Sequence, residues 1–459
     1  MTPTPAISMP LFPTQANMTD LTLNPVAKSA RFQSLDVLRG FAALGILLMN
    51  IPSMGLSWDR ALPPLPAQWN ADWIAVIIQQ LAFNGVMRGL FTLLFGAGMI
   101  VMLTRPDPAR EEAAHKAYFA RCFALMLLGF VNFAIFLWPG EILFSYGLCG
   151  LVLFLFRKAD IRLLGMAAAV SLILMPIGLH HTLSDRIAML ELADAAVAAK
   201  SAGKKPGKEE AEALKTRDEK IREALSPKTQ AKERAIRTSL KTLPEWSLEK
   251  WSEISLSGPF TFWFQLETLG SMLLGMILFR IGVLTGRRST RFYALMAVGG
   301  LIPGLALRGA VEVVLWRNGY IPTADAVTLQ LWFYQPARLC MMIGMLGLVM
   351  LLLKSGLIGR LANPLAAVGR TALTTYIGQS VITSILFYGL GFYGRFGFAQ
   401  LMGLCLLIWI AQCMMSMAWL RRFDMGPAEW LLRSLTYGRF ASIGRRDATA
   451  AIPASEATV

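Results

Sequence analysis

The chain has 459 residues, 55% of them hydrophobic and 16% charged, with a mean hydropathy of +0.51. Soluble domains carry about a quarter charged residues, so this composition excludes an ordinary water-soluble globule. The net charge of +15 would suit a nucleic-acid binder if it formed a patch, but the basic residues flank long apolar runs, and that distribution excludes the class.

Residues 1–30 hold five prolines and no apolar run and read as a disordered tail. No cleavable signal is expected, because the first apolar segment starts only at Asp36 and has the length of a full helix. Apolar runs predict about ten membrane helices near 36–54, 88–104, 118–138, 141–156, 161–181, 258–281, 292–316, 328–353, 365–390 and 397–419. An amphipathic piece from Asp72 to Phe83 is expected at the interface before the second helix. The fourth helix is short for a span and follows a Trp138-Pro139-Gly140 turn. The fold class is therefore all-α, a polytopic transmembrane bundle with halves at 31–181 and 258–440 and a second disordered tail at 441–459.

Between the halves lies a polar, helix-prone segment, 182–257, in which 15 basic residues nearly balance 13 acidic ones. It reads as a solvated helical insertion with sparse ordered contacts, or alternatively as a lid or partner-docking element. Basic residues in short flanking segments set orientation. With the N-terminus in the cytoplasm, Lys28, Arg31, Arg39, Arg105, Arg110, Arg121, Lys158, Arg280, Arg288, Lys354, Arg370, Arg422 and Arg446 all fall on the inner side. Arg60, Arg88, Arg317 and Arg395 remain outside. Both termini are then cytoplasmic, the polar segment is extracytoplasmic, and the excess positive charge meets anionic lipid heads of the inner leaflet.

Ionisable groups inside a bilayer are costly and mark candidate sites. Asp36 and Arg39 share a helix face three residues apart and can pair, with Ser34 or Asp36 also able to cap the helix. Asn50 is the polar group of that helix expected to face the interior. Asn132 and Glu141 flank the turn after the third helix, where the carboxylate is either a helix cap or part of a polar cavity. Arg370 stands at an inner helix end, followed by a stripe of Thr375, Gln379 and Thr383 with Tyr376 and Ser380 alongside, either interhelical glue or a cavity wall. Glu267 is a further intramembrane charge. Arg308 and Glu312, four apart, are expected to neutralise each other, whereas Arg338 has no local acidic partner. The five cysteines and the histidines His115, His180 and His181 show no metal-ligand spacing, and no phosphate loop or dinucleotide fingerprint appears.

These motifs resemble the bacterial YeiB-like family of membrane proteins, classed as domain of unknown function 418. The resemblance runs from Arg31 to Tyr437. It rests on Leu35-Asp36-Val37-Leu38-Arg39-Gly40 with Leu44-Gly45-Ile46-Leu47 and Asn50, on Leu93-Leu94-Phe95-Gly96-Ala97-Gly98, on Gly369-Arg370 to Gln379, and on Gly426-Pro427-Ala428-Glu429-Trp430 with Arg433 and Leu435-Thr436-Tyr437. The charged 182–257 segment is longer than the resemblance leads one to expect. The opening motif is in turn similar to that of membrane acyltransferases that acylate glycans using a membrane-embedded histidine. Where the family often shows His and Gly-Asp-Ile-Leu, this chain has Asn132 and Gly140-Glu141-Ile142-Leu143. Asparagine accepts no proton near neutral pH, which leaves Glu141 as the base, with His180 and His181 as substitutes. The resemblance thus implies a bacterial inner-membrane protein transferring an acyl group onto an extracytoplasmic glycan or lipid acceptor. It would have no tightly bound cofactor and acyl-CoA as a donor. Arg39, Arg338 and Arg370 would meet the donor's anionic group, and Asp36, Asn50, Asn132, Tyr376 and Gln379 would line the site. A permease for a small metabolite and a non-catalytic scaffold are the alternatives.

The orientation is checked by topology reporters. Fusions after Arg110, Lys158, Arg288 and Arg446 should report cytoplasm, and one near Lys208 the opposite side. A cytoplasmic signal at Lys208 would break the ten-span reading.

Overall fold

The computed structural model describes residues 33–58, 62–103, 111–440 and 443–444. The tail at 1–30 and nearly all of that at 441–459 lie outside the described residues, as do Arg60, Arg105 and Arg110. The chain opens with α1 (Gln33–Gly55), α2 (Ala71–Ala82), α3 (Val86–Leu103), α4 (Glu111–Ala134), α5 (Leu143–Leu153) and α6 (Ile161–Thr182). The polar segment forms α7 (Ser184–Ser201), α8 (Lys208–Leu225), α9 (Pro227–Arg237) and α10 (Leu243–Ser252). The second half holds α11 (Thr261–Arg280), α12 (Thr290–Arg317), α13 (Ala324–Lys354), α14 (Ala362–Arg370), α15 (Ala372–Ser384), α16 (Phe398–Arg422) and α17 (Pro427–Tyr437). No strand occurs among the described residues, only one isolated bridge between Phe423 and Gly444.

Among the described residues eight helical runs are long and apolar enough to cross a membrane, with Ala71–Leu103 taken as one run. The short apolar run Leu143–Phe156 and the broken α14–α15 pair occupy the two other predicted spans. Outward faces carry large apolar side chains in rows, such as Leu295, Val298, Ile302 and Leu305 on α12 and Leu406, Leu407, Ile410 and Met414 on α16. Exposed apolar area on that scale is stable only against lipid, so the protein is a membrane protein. The predicted amphipathic piece is α2. It buries Trp73, Val76 and Gln79, and the Asn70 side chain caps it by accepting from the Trp73 N–H.

Glycines set the closest helix approaches, because lipid supplies no hydrophobic drive and helices there must gain from close packing. A Cβ on Gly96 would collide with the Met272 carbonyl, and one on Gly275 with the Leu93 carbonyl, so α3 and α11 touch backbone to backbone at both places. Gly40 and Gly369 do the same for α1 and α14, against Leu365 and Asp36. Gly98, two residues from Gly96, faces open space.

The expectation of sparse contacts in the polar segment holds for α8, which forms a hairpin with α7 over a small seam of Ala193, Ala196, Ala213 and Leu214, whereas α7 also buries Ile187 and Leu190 against Ala324 of α13. It fails for α9 and α10. Arg237 is fully buried, donates to the carbonyls of Ser53, Met54 and Leu56 and to the hydroxyls of Tyr388 and Tyr393, and stacks on the Trp246 ring. Glu233, at 3.4 Å, balances its charge. Arg237 therefore caps the C-terminus of α1, whose last carbonyls have no helical partner. Leu243, Trp246 and Trp251 are buried with it. Sequence reading missed this because one arginine among 15 basic residues carries no local mark of burial.

Two stability outcomes follow. Gly96→Ala should destabilise the detergent-purified protein by about 1–3 kcal/mol through overpacking, while Gly98→Ala should leave thermal unfolding unchanged. Arg237→Ala should cost about 3–5 kcal/mol by stranding Glu233 and the α1 carbonyls. Replacing Ala198–Ser226 by a flexible linker should preserve insertion and monodispersity. Equal damage from the two changes would contradict the division of the segment.

Candidate functional site

A helix break borders a sizeable opening in the bundle. The stretch predicted as one helix at 365–390 is interrupted at Thr371, between α14 and α15, so the first N–H groups of α15 need partners from elsewhere. Glu429 supplies them. Its carboxylate accepts from the N–H groups of Leu373 (2.6 Å) and Thr374 (3.2 Å) and from the Thr374 hydroxyl (2.6 Å). The Thr374 hydroxyl in turn accepts from the Ala428 N–H, so α15 and α17 cap each other. Burial pushes the Glu429 carboxyl above its usual range, against the lowering effect of these hydrogen bonds. Two of the sequence motifs, around Gly369–Gln379 and Gly426–Trp430, are this one reciprocal joint.

Beside the joint lies a cavity of about 450 Å³ between α1, α3, α4, α5, α15 and α17. Four guanidinium groups line it, those of Arg39, Arg121, Arg370 and Arg433, against two carboxylates, Asp36 and Glu429. Both carboxylates are engaged. Asp36 pairs with Arg39 at 3.2 Å, and Glu429 holds the joint. The Arg370 guanidinium reaches the Asp424 carbonyl at 3.1 Å. Among the described residues Arg121 has no carboxylate partner. Leu94, Phe95, Leu125 and Leu432 line the walls, and the deepest residues by helix position are Phe91, Leu143 and Tyr146. The opening is thus cationic at one face and apolar inward.

Glu141 stands two residues beyond the inner end. It is 3% exposed, accepts from the Leu143 N–H at 2.7 Å and the Phe144 N–H at 3.1 Å, and so caps α5. Its other oxygen accepts from the Trp251 indole N–H at 3.1 Å, which brings the end of the polar segment into the site. A carboxylate offers about four lone pairs, so three bonds leave one open. The Tyr376 hydroxyl, buried, accepts from the Ile142 N–H at 3.0 Å. The Ser384 hydroxyl, two turns on, donates to the Phe136 carbonyl, so this face of α15 lies along the 136–142 turn. Ser380, on the same face, has a buried hydroxyl without a partner. Asn132 is fully buried with neither amide atom bonded, and the Trp138 indole N–H is also unpaired.

The remaining sequence candidates separate from this site. The Gln379 side chain donates to the Ala43 carbonyl at 3.1 Å and to Gln412 at 3.2 Å, and Gln412 returns a bond to the Thr375 carbonyl. Within the stripe Gln379 is glue between α1, α15 and α16, while the Thr383 hydroxyl donates to carbonyls of its own helix. Asn50 is half-buried and makes no side-chain hydrogen bond among the described residues. Arg308 and Glu312 do not pair. Arg308 binds the carbonyls of Gln80, Leu81 and Asn84 at the end of α2, and Glu312 accepts from Tyr320. Arg338 does have an acidic partner, from another helix: its Nη1 is 3.3 Å from Glu267 Oε1, an oxygen that Arg88 also reaches at 2.6 Å. Local spacing misled for Arg308, whose partners are the carbonyls of another helix, whereas the absence of a local acidic partner for Arg338 stands, its carboxylate coming from α11. Of the residues that sequence reading missed, Arg121 was legible as a charge inside a predicted span, whereas Trp251 lies in the polar segment with no local mark of its contact to Glu141.

Residues 278–439 match a family model described as protein of unknown function (DUF418). The chain is 30% identical over 428 residues to the uncharacterized protein YeiB of Escherichia coli K12, covering 88% of this chain and 95% of the relative. It is 28% identical over 445 residues to the uncharacterized protein YxaH of Bacillus subtilis 168, covering 93% and 99%. No solved structure matches.

Proposed function

Since the chain belongs to the YeiB-like (DUF418) family of membrane proteins, whose description assigns no activity, we propose that the cavity is the donor site of a membrane acyltransferase. The observation that carries this reading is the shape and charge of the cavity: four guanidinium groups against two engaged carboxylates, and an apolar interior ending beside Glu141. An acyl donor with a phosphate-bearing head, acyl-CoA among them, has the same polarity. Its head meets Arg39, Arg121, Arg370 and Arg433 through charge-assisted hydrogen bonds, and its acyl end lies toward Leu143 and Tyr146.

Glu141 acts as the base through its open lone pair. It takes the proton of an acceptor hydroxyl or amine while the acceptor atom bonds the acyl carbon and the donor's leaving group departs. Trp251 and the α5 N–H groups hold the carboxylate in place. Asn132, Trp138 and Ser380 offer unpaired polar atoms nearby for the acceptor. The arginine-lined face is the cytoplasmic face of the bacterial inner membrane in this reading, with anionic lipid heads against its basic rim. The acceptor, a glycan or lipid, approaches from the side of the 182–257 segment.

Lipid and glycan profiling of a deletion strain, with and without complementation, supplies the assay. Glu141→Gln should abolish the acylated product, a loss of about 10²–10⁴-fold for a general base, with abundance and thermal stability near wild type. A capping role alone predicts full product and a stability loss of about 1 kcal/mol or less. That outcome would remove the base and favour transport of a small metabolite. Asn132→His should retain or raise transfer.

A further inference from the structure

Beyond Tyr146, on the other side from the cavity, α3, α11 and α13 bring two guanidinium groups to a single carboxylate. Arg88 and Arg338 share one oxygen of Glu267, so the cluster keeps one positive charge that no described carboxylate balances. Arg338 is 0% exposed and Glu267 1%. A buried unbalanced charge is strongly unfavourable in a bundle surrounded by lipid, and it persists where a ligand or a function compensates it. Arg308, bonded to carbonyls at Gln80, Leu81 and Asn84 just before α3, adds further positive charge on this side.

The buried donors around Arg338 point the same way. Arg338 donates through Nε to Gln335 at 2.9 Å and through Nη2 to Ser271 at 3.1 Å. Its Nη1 makes only the 3.3 Å ion-pair contact with Glu267 Oε1, outside hydrogen-bond geometry, and the buried amide nitrogen of Gln335 is left without a partner. One acceptor atom, Glu267 Oε2, is also unpaired. Unused buried donors are rare and call for a partner. Room is kept for Arg338 by two glycines: a Cβ on Gly89 would lie 2.6 Å from its Nη1, and one on Gly85 2.9 Å from its Cδ. Gly85 also has a positive φ of 70°, a conformation that favours glycine. Arg88 retains 27% exposure and stacks on Phe264. Arg88 and Phe264 lie in the first turns of α3 and α11, so the exposed edge of the cluster is at the end of the bundle opposite the Arg39 face.

We propose that Arg88, Arg338 and Gln335 form a second, separate anion site that takes the carboxylate or phosphate group of a small molecule entering past Arg88. Tyr146 is the partition between this site and the cavity: its side chain lines the cavity, while its hydroxyl lies 2.5 Å from the Thr92 hydroxyl and 3.3 Å from the Arg88 carbonyl. An anionic acceptor held here would lie one helical turn of α3 from the inner end of the cavity at Phe91. The site itself does not depend on acyl transfer.

The test reads binding and not transfer, so its failure is separable from failure of the acyltransferase reading. Thermal unfolding of the purified protein is titrated with acetate and, separately, with inorganic phosphate at constant ionic strength. The wild type should show a saturable stabilisation. Acetate alone would assign a carboxylate ligand, and phosphate alone a phosphate. Arg88→Gln should weaken the midpoint about tenfold or more, Arg88→Lys should retain most of it, and Glu267→Gln, which removes the competing carboxylate, should tighten it about tenfold. A variant lacking Arg39 and Arg121 should keep the Arg88-dependent response. No saturable response in the wild type, or one indifferent to Arg88→Gln and Glu267→Gln, would overturn the site.

Discussion

A guanidinium group inside a lipid-embedded bundle draws acceptors from wherever the packing allows, and that constraint organises this molecule more than any other. The charge is permanent, so burial cannot be relieved by losing a proton. Each buried arginine is therefore a fixed point around which backbone ends and carboxylates collect. Arg237 gathers the last carbonyls of α1, two tyrosines and Glu233. Arg308 gathers the end of α2. Arg338 and Arg88 gather Glu267. Two of these arginines satisfy helix C-termini, whose carbonyls carry partial negative charge.

The second organising device is the break between α14 and α15. A continuous helix there would leave no unpaired N–H groups and would have no need of Glu429. Breaking it ties α17 to α15 through Thr374 and Glu429 and leaves space between them and α1, α3, α4 and α5. The glycine contacts compensate: α1 lies directly on α14 at Gly40 and Gly369, and α3 directly on α11 at Gly96 and Gly275. Tight packing on two sides holds open a cavity on the third.

The polar segment belongs to both themes. Its α9–α10 half delivers Arg237 to the end of α1 and Trp251 to Glu141, so chain outside the apolar runs completes the interior. In the acyltransferase reading, that contact positions the carboxylate and excludes water from one side of it. The α7–α8 half is tied to the bundle through α7, whose Ile187 and Leu190 pack on Ala324 and whose Asp194 accepts from the Ala324 N–H at the start of α13.

What the sequence alone determined is the class and course of the chain. Runs of apolar residues with basic flanks specify membrane helices whatever their neighbours are, because the cost of burying a charge or an open backbone in lipid is local. The Asp36–Arg39 pair was legible for the same reason, being set by helical spacing. So was the pairing of Asn132 and Glu141 with one turn. Partner choice was decided by the tertiary structure. Glu312 lies four residues from Arg308 yet bonds Tyr320, Arg338 finds Glu267 across 71 positions of sequence (338 against 267), and Gln379 proves to be glue. Buried polar groups take whichever partner the packing brings within hydrogen-bond reach, and packing among many helices has no counterpart in the order of residues along any one of them.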